Sequence, residues 1–243
     1  MNFLNELVLL LKARYPIIYI ATNEEERIEY LIKYCAKKYV TRTYYSWDFV
    51  DGYQGNPNDK GFASRNPLEA LELIEKLTPE TGAVFILKDY DNFLKDFSIL
   101  RKLKNLSKTL KTQPKNIIIL SNDKAIPESL VDLISVIEFP LPTYDEIYDE
   151  LQRLGGSLKQ EIKPDLLATL ANACQGLTFE RIRRVLSRII AQTGEINTSS
   201  AIAIFEEKKQ IIQETELLEF CEAKITLSEL GGLENFKMWL RRR

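Results

Sequence analysis

The chain of 243 residues contains no histidine. This absence excludes the Ser-His and Cys-His pairs of nucleophilic catalysis, and it removes the commonest metal ligand found in proteins. The three cysteines, Cys35, Cys174 and Cys221, lie far apart and show no paired spacing. Their distribution argues against a zinc site or a disulfide framework and favours a reducing compartment.

Long apolar runs and an excess of charge of either sign are also missing. No run reaches the roughly 18 residues of a membrane span. The apolar segment 1–12 carries Glu6 and has no basic leader, which predicts an amphipathic first helix rather than a signal peptide. The net charge of -2 gives no general attraction to nucleic acid or to anionic lipid.

Short apolar runs alternate with amphipathic segments in the first part of the chain. The runs predict five strands, near residues 16–22, 42–48, 83–89, 116–122 and 135–140. Helical segments between strands predict a parallel sheet with helices on both faces. The segment 51–66 is rich in Gly, Asn and Pro, which predicts an exposed loop. Asn23 and Glu26 have the spacing of a capping box at the start of the second helix.

After residue 142, every segment up to residue 214 has the periodicity of a helix. Thr143 and Glu146 predict a second capping box, Pro164 begins a helix, and Gly194 ends one. We therefore expect a sheet domain over 1–142, a helical domain over 143–214 and a tail over 215–243. The tail is too apolar to stay solvated without a covering surface.

Polar side chains follow two of the predicted strands at the point where each strand ends. The run 83–87 is followed by Lys88, Asp89 and Asp91, and the run 116–120 is followed by Ser121 and Asn122. Open α/β sheets bind ligands beyond the carboxyl ends of their strands, where nucleotide hydrolases hold magnesium. Asp89, Asp91 and Asn122 are either remnants of such a site or caps of strand ends and turns.

The order of elements resembles the AAA+ ATPase module, a five-stranded αβα domain followed by a small helical lid. Three segments carry the resemblance: VFILKDYD (84–91), NIIILSN (116–122) and FPLPTYDEIYDEL (139–151). They stand where that family has its Walker B strand, its sensor-one strand, and its last strand with the entry into the lid. The resemblance implies that Asn122 is the sensor-one residue. It also implies that an arginine of the lid helix, such as Arg181, faces the γ-phosphate.

Three further segments, 13–29, 176–190 and 227–243, resemble the AAA-domain proteins encoded in algal plastid genomes and present in cyanobacteria. In that family a second ATPase module with a complete phosphate loop follows a Gly-Gly-Leu segment, which is 231–233 here. The resemblance implies that residues 215–243 are a linker and the start of this second module, which is absent from the chain. It also implies residence in the plastid stroma or the cyanobacterial cytoplasm.

The turn after the first strand lacks the glycines of a phosphate loop. Such a loop wraps phosphates with backbone N–H groups and adds Lys and Ser or Thr, whereas residues 21–27 read ATNEEER. Each carboxylate within about 6 Å of a phosphate opposes binding by on the order of 1–3 kcal/mol. In the Walker B strand, one alignment puts Lys88 at the magnesium-binding acid and Asp89 at the general base. A shift of one residue gives Asp89 and Tyr90 instead.

We therefore expect a non-catalytic AAA+-like amino-terminal module that serves as an interaction or assembly surface. No cofactor is expected in this chain, and ATP and magnesium belong to the family's second module. The expected partners are other protein subunits, a second AAA module or further copies of the chain, rather than nucleic acid. Two alternatives remain open, an ATPase with an unorthodox nucleotide site and a nucleic-acid-binding protein of clamp-loader type. The vestigial site positions are Asn23, Asp89, Asp91, Asn122 and Arg181.

Each of three further groups of side chains allows two interpretations. An aromatic group is either a partner surface or part of the core and an edge strand: Tyr44, Tyr45, Trp47 and Tyr53. A basic face is either a nucleic-acid contact or solvated: Lys102, Lys104, Lys108, Lys111 and Lys115. An arginine stripe faces solvent or a partner, or else a phosphate: Arg181, Arg183, Arg184 and Arg188.

Overall fold

The computed structural model describes residues 2–54, 61–124, 126–158, 160–214, 232 and 236–238. The chain divides into two compact units. The first comprises Met1–Pro142 with Thr178–Glu180, and the second comprises Thr143–Leu177 with Arg181–Arg243. Cys221 and most of the predicted tail over 215–243 lie outside the described residues.

The first unit is a six-stranded sheet with helices. Its strands are β1 Ile17–Ala21, β2 Thr43–Asp48, β3 Gly52–Gln54, β4 Ala83–Lys88, β5 Lys115–Ser121 and β6 Ile134–Glu138. Its helices are α1 Phe3–Lys12, α2 Glu25–Tyr39, α3 Pro67–Lys76 and α4 Phe97–Leu110, with 3-10 turns at Tyr90–Phe93 and Glu128–Leu133. No helix of the described ranges is long and apolar enough to cross a membrane.

The strand order is β3-β2-β4-β5-β1-β6, and every neighbouring pair is parallel except β2 and β3. The expected count of five strands is therefore wrong by one, because β3 lies inside the segment predicted to be an exposed loop. The Asp48 carboxylate accepts hydrogen bonds from the N–H groups of Val50 and Asp51, at 2.9 and 2.8 Å, and so closes the turn. At Gly52, whose φ is 70°, a Cβ would lie 2.5 Å from the carbonyl oxygen of Phe62.

Two apolar cores cover the faces of the sheet, as the continuous apolar runs predict. Helices α1 and α2 pack on one face over alternate residues such as Ile18, Ile20 and Ile86. Helices α3 and α4 pack on the other face over Ile17 and Phe85, among others. All residues of β1 and β5 are buried. The carboxyl ends of these central strands are therefore fixed between two layers of helix.

The aromatic group around β2 and β3 belongs to the core. Trp47 and Tyr53 are both fully buried. The indole Nε1 of Trp47 donates to the carbonyl oxygen of Ala63 at 3.0 Å, and the Tyr53 hydroxyl donates to the carbonyl oxygen of Ala70 at 2.8 Å. Tyr44 and Tyr45 are half-buried. Of the two interpretations left open, the structural one holds, and the partner surface is wrong for the two buried rings.

The beginnings of two helices test the predicted capping boxes. Thr143 and Glu146 form the predicted box at the start of the helix Tyr144–Ser157. The box of Asn23 and Glu26 is wrong, because α2 begins at Glu25 and its N-cap residue, Glu24, makes no capping hydrogen bond with its side chain. The N–H of Glu24 instead donates to Thr22 Oγ1 at 2.9 Å, and Asn23 is exposed.

Four helices follow β6 in the described part of the chain: α5 Tyr144–Ser157, α6 Pro164–Cys174, α7 Phe179–Thr193 and α8 Ser200–Glu214. They belong to the second unit, except that the first two residues of α7 are counted with the first. The arginines of α7 pair with two buried carboxylates, so a wholly solvated stripe is wrong. Arg183 contacts Glu150 at 2.8 Å, and Arg184 contacts Glu207 at 2.7 Å. Arg188 is exposed.

The two described cysteines are free and buried. Burial raises the pKa of the Cys35 thiol to about 11 and that of the Cys174 thiol to about 12. Because the thiolate is the reactive form, neither thiol is suited to nucleophilic chemistry near neutral pH.

Lys115 is not part of the basic face of α4. It is buried at the start of β5, where its Nζ donates to the carbonyl oxygens of Ile74 at 3.2 Å and Leu77 at 2.7 Å. Both carbonyls lie at the carboxyl end of α3, where a cation stabilises the helix dipole and its unpaired acceptors. Burial lowers the pKa of Lys115.

Replacing Lys115 with methionine should therefore destabilise the first unit. Lys115→Met leaves two buried acceptors without a donor, and we expect a loss of about 1–3 kcal/mol in the free energy of unfolding. Lys108→Met is the matched control, since Lys108 is exposed on α4, and it should cost less than about 0.5 kcal/mol. Urea unfolding of the three proteins measures both values, and equal midpoints for the two variants would refute the capping role.

Candidate functional site

The candidate site lies in the first unit, where the carboxyl ends of β1, β4 and β5 meet the start of α2. β5 is hydrogen-bonded to both β1 and β4, so Ala21, Lys88 and Ser121 end three consecutive strands. Only Thr22, Asn23 and Glu24 separate β1 from α2, which places the first turn of this helix at the same edge. This edge is where an open α/β sheet binds its ligands.

Lys88 joins β4 to α2 through two ion pairs. Its Nζ lies 2.9 Å from Glu25 Oε1 and 2.8 Å from Glu29 Oε2. Lys33, one turn after Glu29, adds a second cation to that carboxylate at 2.9 Å. The side chains of Lys88 and Glu29 are only 18 and 14 % exposed, so solvent screens their pair weakly. The result is a chain of alternating charges across the site.

The protonation behaviour of this cluster matches its geometry. Burial alone would raise the pKa of Glu29, but the hydrogen bonds from Lys88 and Lys33 outweigh it and lower that pKa. Burial alone would lower the pKa of Lys88, but the hydrogen bonds to Glu29 and Glu25 outweigh it and raise that pKa. Both members of the pair are therefore held in their charged forms at neutral pH.

A second cluster surrounds Glu24, the residue just before α2. Glu24 is buried and forms an ion pair with Arg27. Its other carboxylate oxygen accepts a hydrogen bond at 2.8 Å from the backbone N–H of Phe179, in the short segment 178–180 that belongs to the first unit. The Arg27 guanidinium also donates to the carbonyl oxygen of Pro140 at 2.8 Å and lies over the ring of Phe139. Glu24 is thus satisfied within the protein.

Asp89 and Asp91 both lie at this edge, in the turn that follows β4. Asp89 has a left-handed backbone with a φ of 51°, and its N–H donates to the carbonyl oxygen of Leu120 at 2.9 Å. Burial, then the charges of Glu25 and Asp91, raises the pKa of Asp89. Asp91 Oδ1 is buried and makes no hydrogen bond with any described atom. These two aspartates are predicted site residues that lie together in one turn at this edge.

The ends of β1 and β5 contribute polar groups that sequence reasoning missed. Asn122, the predicted sensor-one residue, is exposed, whereas the preceding Ser121 is buried. Ser121 Oγ accepts a hydrogen bond from the N–H of Asp123 at 3.1 Å. The Tyr19 hydroxyl donates to the carbonyl oxygen of Asp123 at 2.7 Å. Burial is the largest cause that raises the pKa of Tyr19.

Arg181, the remaining predicted site residue, belongs to the second unit. Within that unit its guanidinium lies 3.8 Å from the carboxylate of Glu207, which also binds Arg184. The side chain of Glu207 is only 6 % exposed, so the two arginines neutralise a buried acid.

The ion pairs of Lys88 were the main feature that the sequence analysis missed. Glu25 and Glu29 are four residues apart and therefore lie on one face of α2, which the sequence shows. Their proximity to Lys88 depends on how α2 crosses the sheet, and no local pattern encodes that crossing. Among the described residues, no group of three or more Cys, Asp or Glu side chains is arranged to hold a metal ion.

Comparison with known proteins shows the family. The model of the SpoVK-like AAA ATPase N-terminal domain matches residues 3–139, and the model of the second domain of the same family matches residues 145–215. The chain belongs to the SpoVK-like AAA ATPase family. The resemblance to AAA-domain proteins of algal plastids is confirmed as well, since similar proteins from algae carry that description.

Relatives of this SpoVK-like chain are named uncharacterized AAA domain-containing protein ycf46. The protein from Trieres chinensis is 56% identical over 243 residues, which is 100% of this chain and 49% of the relative. The protein from Guillardia theta is 49% identical over 241 residues, which is 99% of this chain and 48% of the relative. The chain therefore spans about half the length of these relatives.

Solved structures with a similar fold are AAA+ ATPase domains. The FIGL-1 AAA domain in complex with ADP has a TM-score of 0.56 at 11% identity, over 97% of this chain and 84% of that one. A Thermotoga maritima RuvB variant has a TM-score of 0.54 at 14% identity, over 90% of this chain and 71% of that one. At this level of identity the likeness shows the AAA+ fold alone.

Removing the charge of Glu29 should cost stability in a way that depends on pH. We expect Glu29→Gln to lose about 1–3 kcal/mol at neutral pH, because Lys88 and Lys33 lose a buried partner. The folded-state pKa of Glu29 is lowered, so its contribution is present above the unfolded pKa and disappears as pH falls through the folded pKa. The gap between wild type and variant should therefore shrink as pH falls below the unfolded pKa of about 4.3 and close once pH is below the lowered folded pKa.

Glu26→Gln provides the control on the same helix, since Glu26 is exposed. It should change the free energy of unfolding by less than about 0.5 kcal/mol at any pH. Denaturant unfolding of the three proteins between acid and neutral pH tests the assignment. A Glu29 variant as stable as the Glu26 variant at neutral pH would contradict it.

Proposed function

We propose that this chain is a non-catalytic AAA+-like module whose nucleotide site is closed by internal ion pairs and which serves as an interaction or assembly surface. The observation that carries the proposal is Lys88, whose ammonium group bridges Glu25 and Glu29 at the edge of the sheet where AAA ATPases bind nucleotide. In the alignment that puts Lys88 at the magnesium-binding acid, this position supplies a cation in place of a carboxylate.

Electrostatics at the Walker B strand oppose a magnesium ion. A divalent cation about 4 Å from the Lys88 ammonium would be repelled by on the order of 8 kcal/mol at an effective dielectric of 20. Moving Lys88 away would break its ion pair with Glu25 and leave Glu29 with Lys33 alone. Burial, then the charges of Glu25 and Asp91, raises the pKa of Asp89, the other acid at this strand end. These residues therefore do not fit a Mg-ATP complex.

The start of α2 is equally unsuited to a triphosphate. A phosphate loop offers free N–H groups and no negative charge. Here Glu24 and Glu25 place two carboxylates before and within the first turn. The carboxylate of Glu24 already forms an ion pair with the Arg27 guanidinium and accepts a hydrogen bond from the Phe179 N–H. An incoming phosphate would have to displace an internal anion that is already paired.

The interaction role is proposed for a chain that spans about half the length of its ycf46 relatives. We propose that the module acts together with other protein subunits, with a second AAA module that holds ATP and magnesium, or with further copies of itself. The algal relatives support a location in the plastid stroma or, for a cyanobacterial protein, in the cytoplasm. Nucleic acid is not among the proposed partners, because the net charge is -2.

An unorthodox nucleotide site remains the specific rival. The observation in its favour is Asp91 Oδ1, a buried acceptor without a hydrogen bond among the described residues. A cation or a nucleotide hydroxyl could satisfy it. If this rival holds, Asp91 contributes directly to binding, and its replacement by asparagine abolishes the affinity.

Titration with a fluorescent ATP analogue in the presence of magnesium distinguishes the proposed function from this rival. We expect no saturable binding with a dissociation constant below about 1 mM, which corresponds to a binding free energy of about -4 kcal/mol. Mg-ATP should likewise leave the thermal midpoint of the chain unchanged, since only a ligand that binds the folded state raises it.

Asp91→Asn and Asn122→Ala are tested in parallel, the second because Asn122 is exposed at the same edge of the sheet. Micromolar binding by the wild type that is lost in Asp91→Asn would overturn the proposed function and establish the rival. Measured ATP turnover that is lost in Asp89→Asn would overturn it as well.

A further inference from the structure

One face of α4 combines a run of cations with an exposed aromatic ring. The residues of this face, called the α4 stripe below, are Phe97, Arg101, Lys104, Lys108 and Lys111. At 3.6 residues per turn they fall within roughly 80° of arc and extend over about 21 Å. The opposite side of the helix is buried through Ile99, Leu103 and Leu106. The α4 stripe is therefore the outward surface of a helix whose orientation is fixed.

The four cations of the α4 stripe are not used inside the protein. None of them forms an ion pair or a side-chain hydrogen bond with another residue of the described ranges. Two neighbouring lysines differ in this respect, since Lys102 pairs with Glu75 and Lys115 is buried against α3. No acidic residue occurs between positions 97 and 122. The positive potential of the stripe is therefore not neutralised by its own helix.

Phe97 makes this surface different from a solvated basic face. Its side chain is 80% exposed, the largest value among the exposed large hydrophobic residues described. Phe49, 40% exposed, stacks on Phe93 at a ring separation of 5.2 Å, four residues before Phe97. Adjacent Val50 is 66% exposed. An exposed phenyl ring thus stands at the amino end of the basic stripe, and aromatic anchors flanked by charge are typical of protein interfaces.

We propose that the α4 stripe binds an acidic helical segment of a partner protein, with an apolar side chain of that segment against Phe97. The inference rests on the proposed function and adds to it the chemistry of the partner. Three turns of cations match an acidic helix with carboxylates three and four residues apart. Burial of the phenyl ring supplies the apolar part of the free energy.

Charge on the neighbouring helix favours a short protein segment over a nucleic acid. Helix α3 packs beside α4 and carries Glu69, Glu72 and Glu75. A phosphate backbone that crossed from the stripe onto α3 would be repelled by acids of that helix, whereas a helix of a few turns can stay on α4. Bases of a single strand stack on aromatic residues interleaved with cations, and here the ring stands at one end of the stripe.

The test uses the whole chain and defined probes. The main probe is a fluorescent twelve-residue helical peptide that has glutamates at every third or fourth position and one leucine near its end. The comparison probes are the same peptide with alanine in place of leucine, an RNA duplex, a single-stranded RNA, and vesicles with anionic lipid. Anisotropy is read at an ionic strength of about 50 mM, where screening between exposed charges is modest.

The triple variant Lys104→Glu, Lys108→Glu, Lys111→Glu should weaken binding of the leucine peptide at least tenfold. Phe97→Ala should weaken it several-fold, and should not affect the alanine peptide. The control carries the same change in charge elsewhere, at the exposed residues Lys12, Lys37 and Lys163, each replaced by Glu. This control should bind the leucine peptide as the wild type does. If the triple variant does not fold, the Lys→Gln triple replaces it.

Four results would overturn the inference. The first is tighter binding of either RNA or of the vesicles than of the leucine peptide. The second is equal weakening in the triple variant and the charge-matched control. The third is equal affinity for the two peptides, since Phe97 would then have no partner. The fourth is self-association that the triple variant abolishes, because the occupant would then be a second copy of the chain. No nucleotide is present, so failure here leaves the proposed closure of the nucleotide site intact.

Discussion

Lys88 sits at the end of a buried strand with its ammonium group between two carboxylates of the helix that follows β1. Its position is set by the sheet, because β4 is hydrogen-bonded on both sides and buried on both faces. The positions of Glu25 and Glu29 are set by α2, whose apolar side is held in the core by Ile28 and Ile32. The ion pairs therefore link two rigid elements, and breaking them would leave weakly solvated charges. The arrangement of charges at the site depends on this one contact.

On the proposed function, the same contact explains how an AAA+ fold is retained without its usual ligand. A bound nucleotide ordinarily connects the start of the helix after the first strand to the neighbouring strand ends. In this chain Lys88, Glu25 and Glu29 make that connection with the protein's own charges, and Glu24 and Arg27 tie the same turn to Pro140. We infer that the internal network supplies the cohesion that a ligand would supply elsewhere. The surface of the module, including the α4 stripe, is then available for partners.

The fold was largely predictable from the sequence, because apolar runs and helical periodicity depend on local spacing. β1, β4 and β5 are continuous apolar runs, and all three were predicted as strands near their observed bounds. The short strand β3 was missed, since its pairing depends on the Asp48 turn and on Gly52 rather than on an apolar pattern. Lys115 was assigned to the wrong surface for a similar reason, because its position at the end of α3 is a tertiary contact. The same distinction holds for the site. Asp89 and Asp91 could be predicted because they follow the end of a strand in the sequence, whereas the ion pairs of Lys88 depend on how the helices pack on the sheet.

The most direct test is a crystal structure of the chain grown with millimolar Mg-ATP. If internal ion pairs close the site, the Lys88 ammonium will lie between Glu25 and Glu29, and no triphosphate density will appear beside residues 22–27. Density for Mg-ATP against that turn, with Lys88 displaced from both carboxylates, would contradict the proposed function.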